Sequence, residues 1–590
     1  MKLNNLSIAL FLGLGALTSC ESKLELVNPN NQTSSSFGNT TEELEEAVIG
    51  CYNHARREGT YARVGYTMDA VRGDEVWNSS QVWYLECDNF TASSSYEQGS
   101  SWIWRDWYYT INSCNFVLSR TTGENSSLSE AMKRIKGQAL FLRGLSYYNL
   151  AGYFNKAAVI TDYSTYSDIN SLYVGINTYD EVMDQCEADL KEAMELLPSR
   201  DEGGEWAKGR ATCGAAAGFY ARALMMRHKY SEARTVLQDI VDKKYGTYAL
   251  MANYGDNFQE GSAYENNEES LFEIQYLDSD SQGVDEEWTP VNTSANATQG
   301  HAVESNFAPG DFGGWADLSA SPWLYHLFKA EKTTDGKADP RLYWTLGTYE
   351  GDWTENYPSG GHGNVMYTQK ITAKDTLQTN NNYGGIVVVK NTNARTNIQS
   401  SVVTGLHCGI NLRLMRYSDV LLRLAECINE IEGPTAEAIG YINQVRTRAK
   451  LPELKLSDFA GNADKLFEQI ANVERPKEFG CEYGRGFDLI RWGFFYDNDR
   501  MLQMKQHAAV RMGKRENGDN PTDAVTYMTS NVTSSFDSYV TGHEYFCIYQ
   551  DNLDQNANLG TGNCANSNST EAQEYFKSQW TVHPVVDLSK

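Results

Sequence analysis

No H-E-x-x-H, G-x-S-x-G or Walker loop occurs in the 590 residues. The usual signatures of zinc proteases, serine hydrolases and P-loop enzymes are therefore missing. Nor is there a C-x-x-C pair, so a structural zinc site is not expected. The nine histidines are scattered. Basic residues are scarce: 50 Lys and Arg against 77 Asp and Glu leave a formal net charge of -27. A nucleic-acid partner, which needs a basic surface, is excluded on that ground. Past the N-terminus no stretch is long and apolar enough to cross a bilayer. Gly13-Leu14-Gly15 lies within the N-terminal apolar segment and is no dinucleotide fingerprint. The expectation is a chain with no metal, no cofactor and no catalytic centre.

What is present begins at the N-terminus. Lys2 precedes an apolar core, Leu6 to Leu17, which is too short for a mature transmembrane helix. The core ends in Leu17-Thr18-Ser19-Cys20, small residues before a cysteine, which is the lipoprotein signal of bacteria. Residues 1–19 read as a removed signal peptide and Cys20 as the lipidation site, so the protein is anchored to a membrane and does not span it. Residues 20–40 form the tether; Asn28 to Gly38 is rich in Asn and Ser. Ten scattered cysteines remain, several on apolar helical faces, and most are expected to be buried free thiols.

With 41% hydrophobic and 12% aromatic residues, 41–590 can bury a large core and reads as one domain. In its N-terminal half, about 41–250, Leu128, Met132, Ile135, Ala139, Leu142 and Leu145 recur at three and four residues, with Ser127 or Ser129 placed to cap the helix. Further helices are expected near 179–197, 210–228 and 231–243. The small residues Ala215, Ala216, Ala217 and Gly218 allow close helix approach. Trp104, Trp107, Ile111, Cys114 and Leu118 share helical spacing and are assigned to the core. In the C-terminal half, about 411–590, one stripe runs from Leu414 through Tyr417, Leu421, Leu424 and Ile428 to Ile431. A second joins Ile439, Ile442, Val445 and Ala449. Between about 250 and 410, Gly, Asn, Asp, Thr and aromatics dominate; irregular segments this long are more often functional than accidental.

Candidate chemistry is sparse. Asp278-Ser279-Asp280-Ser281-Gln282-Gly283 resembles the start of a calcium loop, but position twelve is Thr289 where a bidentate Glu belongs, and a polar turn is the better reading. The aromatics say more. Trp77, Trp83 and Tyr84 stand among polar residues with Arg72, Asp74 and Asn78, outside every helical stripe. Trp288 and Trp315, with Asp311, lie in the Gly- and Asp-rich middle, as do Trp353 and Tyr357. A pyranose presents an apolar face that stacks on a ring and a hydroxyl rim that needs donors and acceptors. The candidate glycan site is therefore Trp77, Trp83, Tyr84, Trp288 and Trp315 for stacking, with Arg72, Asp74, Asn78 and Asp311 for hydroxyls.

Four segments carry a family resemblance. Leu412–Glu426 (LRLMRYSDVLLRLAE), Ala438–Pro452 (AIGYINQVRTRAKLP), and Glu474-Arg475 through Glu478-Phe479, Glu482, Arg485 and Asp488–Trp492 resemble C-terminal motifs of the RagB/SusD family. Gly137–Tyr148 (GQALFLRGLSYY) resembles an N-terminal helix of the same family. His543–Gln550 departs from the family's usual "f.PIP..E" stretch. The regular spacing of Arg and Glu within these motifs suggests buried, paired charges that lock helices, not a site. The resemblance implies a mostly α fold: tetratricopeptide-like helix pairs forming a scaffold, long irregular loop insertions and minor β. It also implies a lipid-anchored outer-membrane protein facing outward. Such a protein captures glycans and passes them to a SusC-like TonB-dependent transporter. Two alternatives stand beside it: a surface glycoside hydrolase, resting only on abundant carboxylates, and a peptide-binding member of the same fold, since helix pairs also form peptide grooves.

Overall fold

The computed structural model describes residues 37–78, 84, 98–167, 174–277, 300–347, 365–370, 386–396, 407–495, 497, 500, 503–504, 507, 545–548 and 563–566. Cys20, Trp83, Trp288, Trp353, Tyr357 and the calcium-like segment at 278–283 lie outside them.

Local signals start the helices. Thr40 and Glu43 form a reciprocal capping box at the start of α1 (Thr41–His54). Of the two candidate serines, Ser129 caps α4 (Glu130–Phe154), accepting from the Met132 amide at 3.3 Å. Thr178 and Glu181 box the start of α5 (Tyr179–Leu196). Before these come α2 (Val64–Val71) and α3 (Gln98–Arg120). After them α6 (Cys213–Met226) and α7 (Tyr230–Val241) form the expected hairpin. In the C-terminal half, α11 (Tyr417–Glu432) ends at Gly433, whose φ of 78° suits glycine, and α12 (Ala436–Arg448) follows. Each of α4, α5, α6, α7, α11 and α12 packs on the next, so the two halves share one array of antiparallel helix pairs. The small residues do what their size allows: a Cβ at Gly144 would meet Leu190 Cγ at 2.8 Å, and one at Gly218 would meet Met415 Sδ at 2.5 Å.

One stripe is corrected. Leu414 belongs to strand β8 (Leu412–Arg416), which pairs antiparallel with β2 (Ser270–Ile274), Ile274 opposite Leu412. The helix starts only at Tyr417, because the β2 backbone satisfies the residues before it. The expected core residues Trp107, Ile111 and Cys114 are buried, while Trp104 and Leu118 are partly covered at the rim. Seven cysteines, 51, 114, 186, 213, 408, 427 and 481, are buried and free.

Inside the array, arginines and carboxylates interlock as their spacing suggests. Asp419 receives Arg222 at 2.7 Å, Arg423 at 2.9 Å and Arg475 at 2.7 Å. Asp488 receives Arg423, Arg475 and Arg491 at 3.1, 2.5 and 2.8 Å. Glu474 holds Arg446 at 2.6 Å. Burial works against ionising Asp419 and Asp488, but these arginines outweigh it and hold both well below the usual carboxylate range. Such pairs fix which helices meet more than they add net stability.

Small β elements lie against the array. Strand β1 (Val76–Asn78) pairs with β3 (Leu318–Ala320), Trp77 opposite Ser319. Helix α8 (Val303–Phe307) precedes β3, and α9 (Pro322–Lys329) and α10 (Pro340–Thr345) follow it. Strand β4 (Leu346–Gly347) pairs with β7 (Val387–Val388), and β5 (Val365–Met366) with β6 (Gln369–Lys370). The chain continues through α13 (Ala463–Gln469), α14 (Arg475–Phe479) and α15 (Arg485–Arg491). The last described elements are β9 (Tyr545–Ile548) and β10 (Asn563–Asn566), which pair antiparallel.

Candidate functional site

Four of the sequence candidates, Trp77, Asn78, Asp311 and Trp315, lie along a face built from the segment 58–78, the turn 300–320 and the strands β4 and β7. A π-helical turn, Glu58–Ala62, feeds α2. Gly59 is required there: its amide donates to Asp106 at 3.0 Å, and an added Cβ would meet the Trp102 carbonyl oxygen at 2.2 Å. The backbone of Ala302 donates to Ala62 at 2.8 Å, tying the 300–320 turn to this segment. His301 is buried with Nε2 on the Ile410 carbonyl at 3.0 Å, while its Nδ1 accepts from the Val303 amide at 3.2 Å. Burial lowers this imidazole to about 3, so it is neutral. Asn391, beyond β7, donates to Tyr66 of α2 at 2.7 Å. The Asn393 amide donates to Glu304 of α8 at 2.7 Å.

Within this frame Trp315 is half-exposed and Asp311 exposed. The Trp315 amide donates to the Ser305 carbonyl at 2.7 Å, and a Cβ on the preceding Gly314 would meet the Ala308 oxygen at 2.0 Å. The Arg63 guanidinium lies 4.6 Å from the centroid of the Trp315 ring and is held by Glu58 at 3.1 Å. Arg63 is the residue that sequence reading missed; nothing local to it signals a stacking partner in a distant turn. Trp77 and Asn78 lie on β1, beside this turn, through the β1–β3 pairing.

Three candidates are placed elsewhere. Tyr84 is fully buried, its hydroxyl 2.5 Å from Thr67 Oγ1, so its ring offers no face to a ligand. Arg72 is buried and spends its guanidinium on the Gly152 carbonyl at 3.2 Å and on the Tyr153 ring. Asp74 is buried between Arg485, at 2.8 Å from both oxygens, and His507 Nδ1 at 2.9 Å. Burial works against its ionisation, but Arg485 and His507 prevail and hold it well below the usual range. The polar character that marked Arg72 and Asp74 as hydroxyl ligands belongs instead to core charges satisfied by partners far along the chain. Next to them, burial pushes Glu75 up to about 7 despite Arg485. Its carboxylate accepts the Cys481 amide at 3.0 Å. The strand carrying Trp77 is thus anchored to the C-terminal half through Asp74 and Glu75.

Comparison with known proteins adds to this geometry. The SusD family model matches residues 268–563, and the model described as "starch-binding associating with outer membrane" matches 24–225. The sequence is 25% identical to SusD-like protein P25 of Formosa agariphila, over 84% of this chain and 91% of that protein. It is 23% identical to a SusD-like protein of Bacteroides ovatus, over 86% of this chain and 87% of the other. Among solved structures, a SusD superfamily protein from Bacteroides vulgatus has a TM-score of 0.63 at 23% identity, covering 84% of this chain and 94% of that one. Surface glycan-binding protein A from Bacteroides thetaiotaomicron, in complex with laminarihexaose, has a TM-score of 0.58 at 20% identity, covering 82% and 95%. At these identities the structural likeness establishes the fold.

Proposed function

Because the chain belongs to the SusD family, we propose that it is a glycan-binding lipoprotein of the outer membrane, without catalytic activity. It captures oligo- or polysaccharide outside the cell and delivers it to a SusC-like TonB-dependent transporter. The observation that carries this reading is the half-exposed Trp315 ring, set in a rigid turn, backed by Arg63 and flanked by the exposed Asp311. The proposed platform also takes in Trp77 and Asn78 on the adjoining strand, together with Trp83 and Trp288, which lie outside the described residues. An aromatic fixed by a rigid scaffold at the mouth of loops is where sugar stacking concentrates. Glycan binding by relatives of the same fold, one of them in complex with laminarihexaose, supports the ligand class. The family description, which names association with the outer membrane, supports the location, and the Leu17–Cys20 signal supports a lipid anchor at Cys20.

The test is calorimetry of the chain lacking residues 1–20 against laminarihexaose and a panel of polysaccharides, with Trp315→Ala as the probe. Losing one stacking ring removes about 1–3 kcal/mol, roughly 5- to 150-fold in affinity. A folded Trp315→Ala that binds as wild type refutes the site, and release of reducing ends by pure protein refutes the non-catalytic reading. In cells, Cys20→Ala releases the protein from the membrane fraction; retention refutes the anchor.

A further inference from the structure

We infer that the cleft between the α5–α6 connection and strand β2 is a second binding site, which takes an oxoanion: a carboxylate or sulfate group on a small molecule. It shares no residue with the Trp315 face and does not depend on the glycan-binding reading above.

Local signals shape the cleft. Ser199 and Glu202 form a capping box at the start of a short helical turn, Arg200–Gly203, and a second turn, Gly204–Ala207, follows it. Thr212 then caps α6, accepting the Ala215 amide at 3.3 Å. Between them the Gly209 amide donates to the Asn266 side chain at 2.9 Å, which holds this connection against the chain entering β2. The two walls enclose a cavity of about 90 Å³, with Arg200, Lys208, Arg210 and Glu273 in its lining. That is room for several waters or for a ligand group of similar size. The cavity opens where Gly204 and Lys208 are exposed; a Cβ added at Gly204 would meet nothing within 4 Å.

The lining carries three cations and one carboxylate. That carboxylate, Glu273, is already surrounded: Arg413 Nε lies at 3.1 Å, Asn411 Nδ2 donates to it at 3.3 Å, and the Asn266 amide donates as well. Arg200 is in the opposite position. Its guanidinium donates to the carbonyls of Asn267 at 3.1 Å, Ser270 at 3.3 Å and Asn266 at 3.4 Å, and lies 5.0 Å from the centroid of the Tyr248 ring. These neutral partners fix its place without cancelling its charge, and among the described residues it makes no ion pair. The carboxylates next to it in sequence are engaged elsewhere: Asp201 accepts the Thr247 amide at 2.8 Å, and Glu202 the Ser199 amide at 3.1 Å. Lys208 meets Glu205 at 2.7 Å, but their side chains are 59% and 87% exposed, so that pair is worth little and yields readily to a ligand. Arg210 divides its guanidinium between Glu45 at 3.0 Å and Gln138 at 3.2 Å. A guanidinium set in place beside two further cations suits an oxoanion, because its fork of N–H donors meets two coplanar oxygens. Composition does not foretell such a cluster in a chain of net charge -27.

The experiment titrates the chain lacking residues 1–20 with sodium sulfate, sodium glucuronate and, as the neutral control, glucose, by calorimetry at constant ionic strength. Wild type is compared with Arg200→Gln, with the double variant Lys208→Gln, Arg210→Gln, and with Trp315→Ala; circular dichroism is the folding control. The expected result is saturable binding of sulfate or glucuronate and none of glucose, weakened by added sodium chloride. Arg200→Gln lowers the affinity by about tenfold or more, the loss of one charge-assisted contact. The double variant lowers it several-fold, and Trp315→Ala leaves it unchanged. Tighter binding of glucuronate than of sulfate assigns the cleft to an acidic sugar, and the reverse assigns it to a sulfate group; both support the inference. Arg200 also ties down residues 266–270, so if Arg200→Gln fails to fold the double variant decides. No saturable binding of either anion, or wild-type affinity in a folded Arg200→Gln or in the double variant, overturns the inference and leaves glycan binding at Trp315 untouched.

Discussion

Replacing Asp74 with alanine removes the acceptor that fastens the β1 strand to the C-terminal half of the protein. In the native structure both carboxylate oxygens take Arg485 nitrogens at 2.8 Å, and one also takes His507 Nδ1 at 2.9 Å. After the substitution the buried guanidinium keeps the Ala471 carbonyl at 2.7 Å and Glu75 at 3.8 Å, and nothing replaces the lost bidentate contact. Removing one member of a buried ion pair costs about 3–5 kcal/mol, because the other charge stays desolvated. That is a large share of the roughly 5–15 kcal/mol by which folded proteins are stable. With a urea dependence of about 3 kcal/mol per molar, the unfolding midpoint falls by about 1 M or more. The assay is urea unfolding followed by circular dichroism, with Asp311→Ala as the exposed control, expected within about 0.5 kcal/mol of wild type. A folded Asp74→Ala that is as stable as the control but has lost glycan affinity refutes the argument. Asp74 would then be a ligand group, as its sequence neighbourhood suggests.

Three further outcomes follow from the geometry. Burial raises Glu75 to about 7 in the folded state, above its ordinary value, so its stabilising contribution is full below about pH 4.5 and is lost as pH rises through 7. Glu75→Gln should therefore lose less thermal stability between pH 5 and 8 than wild type; an unchanged pH slope contradicts the burial argument. Gly59→Ala forces a Cβ to within 2.2 Å of the Trp102 carbonyl oxygen, so it is expected to lower the melting temperature by several degrees in a thermal scan, and a neutral result would show that the turn relaxes. The seven buried cysteines, with burial pushing thiols such as Cys186 and Cys408 up, should resist alkylation in native protein and react after unfolding in guanidinium. Mass-spectrometric mapping reads both states, and native labelling at any of the seven contradicts the fold around it.

Much of the scaffold was legible in the sequence, because helices declare themselves over a few turns. The apolar period from Leu128 to Leu145 and the capping Ser129 sit within one stretch of chain, and α4 follows from them. The family motifs likewise pointed to buried pairs, and Glu474, Arg475, Arg485 and Asp488 are all paired inside the array. Leu414 shows where local pattern stops. Its spacing fits a helix, but β2, far upstream, claims its backbone as a strand. The site divides in the same way. That Trp315 and Asp311 belong to an exposed turn could be read from their Gly- and Asp-rich setting. That Asp74 is a core anchor could not, because its partner Arg485 lies 411 residues away. Composition tells that a carboxylate or ring stands in a polar neighbourhood. Whether it faces water depends on which distant group the chain brings to it, and only the folded arrangement of Arg63 on Trp315 and Arg485 on Asp74 decides that.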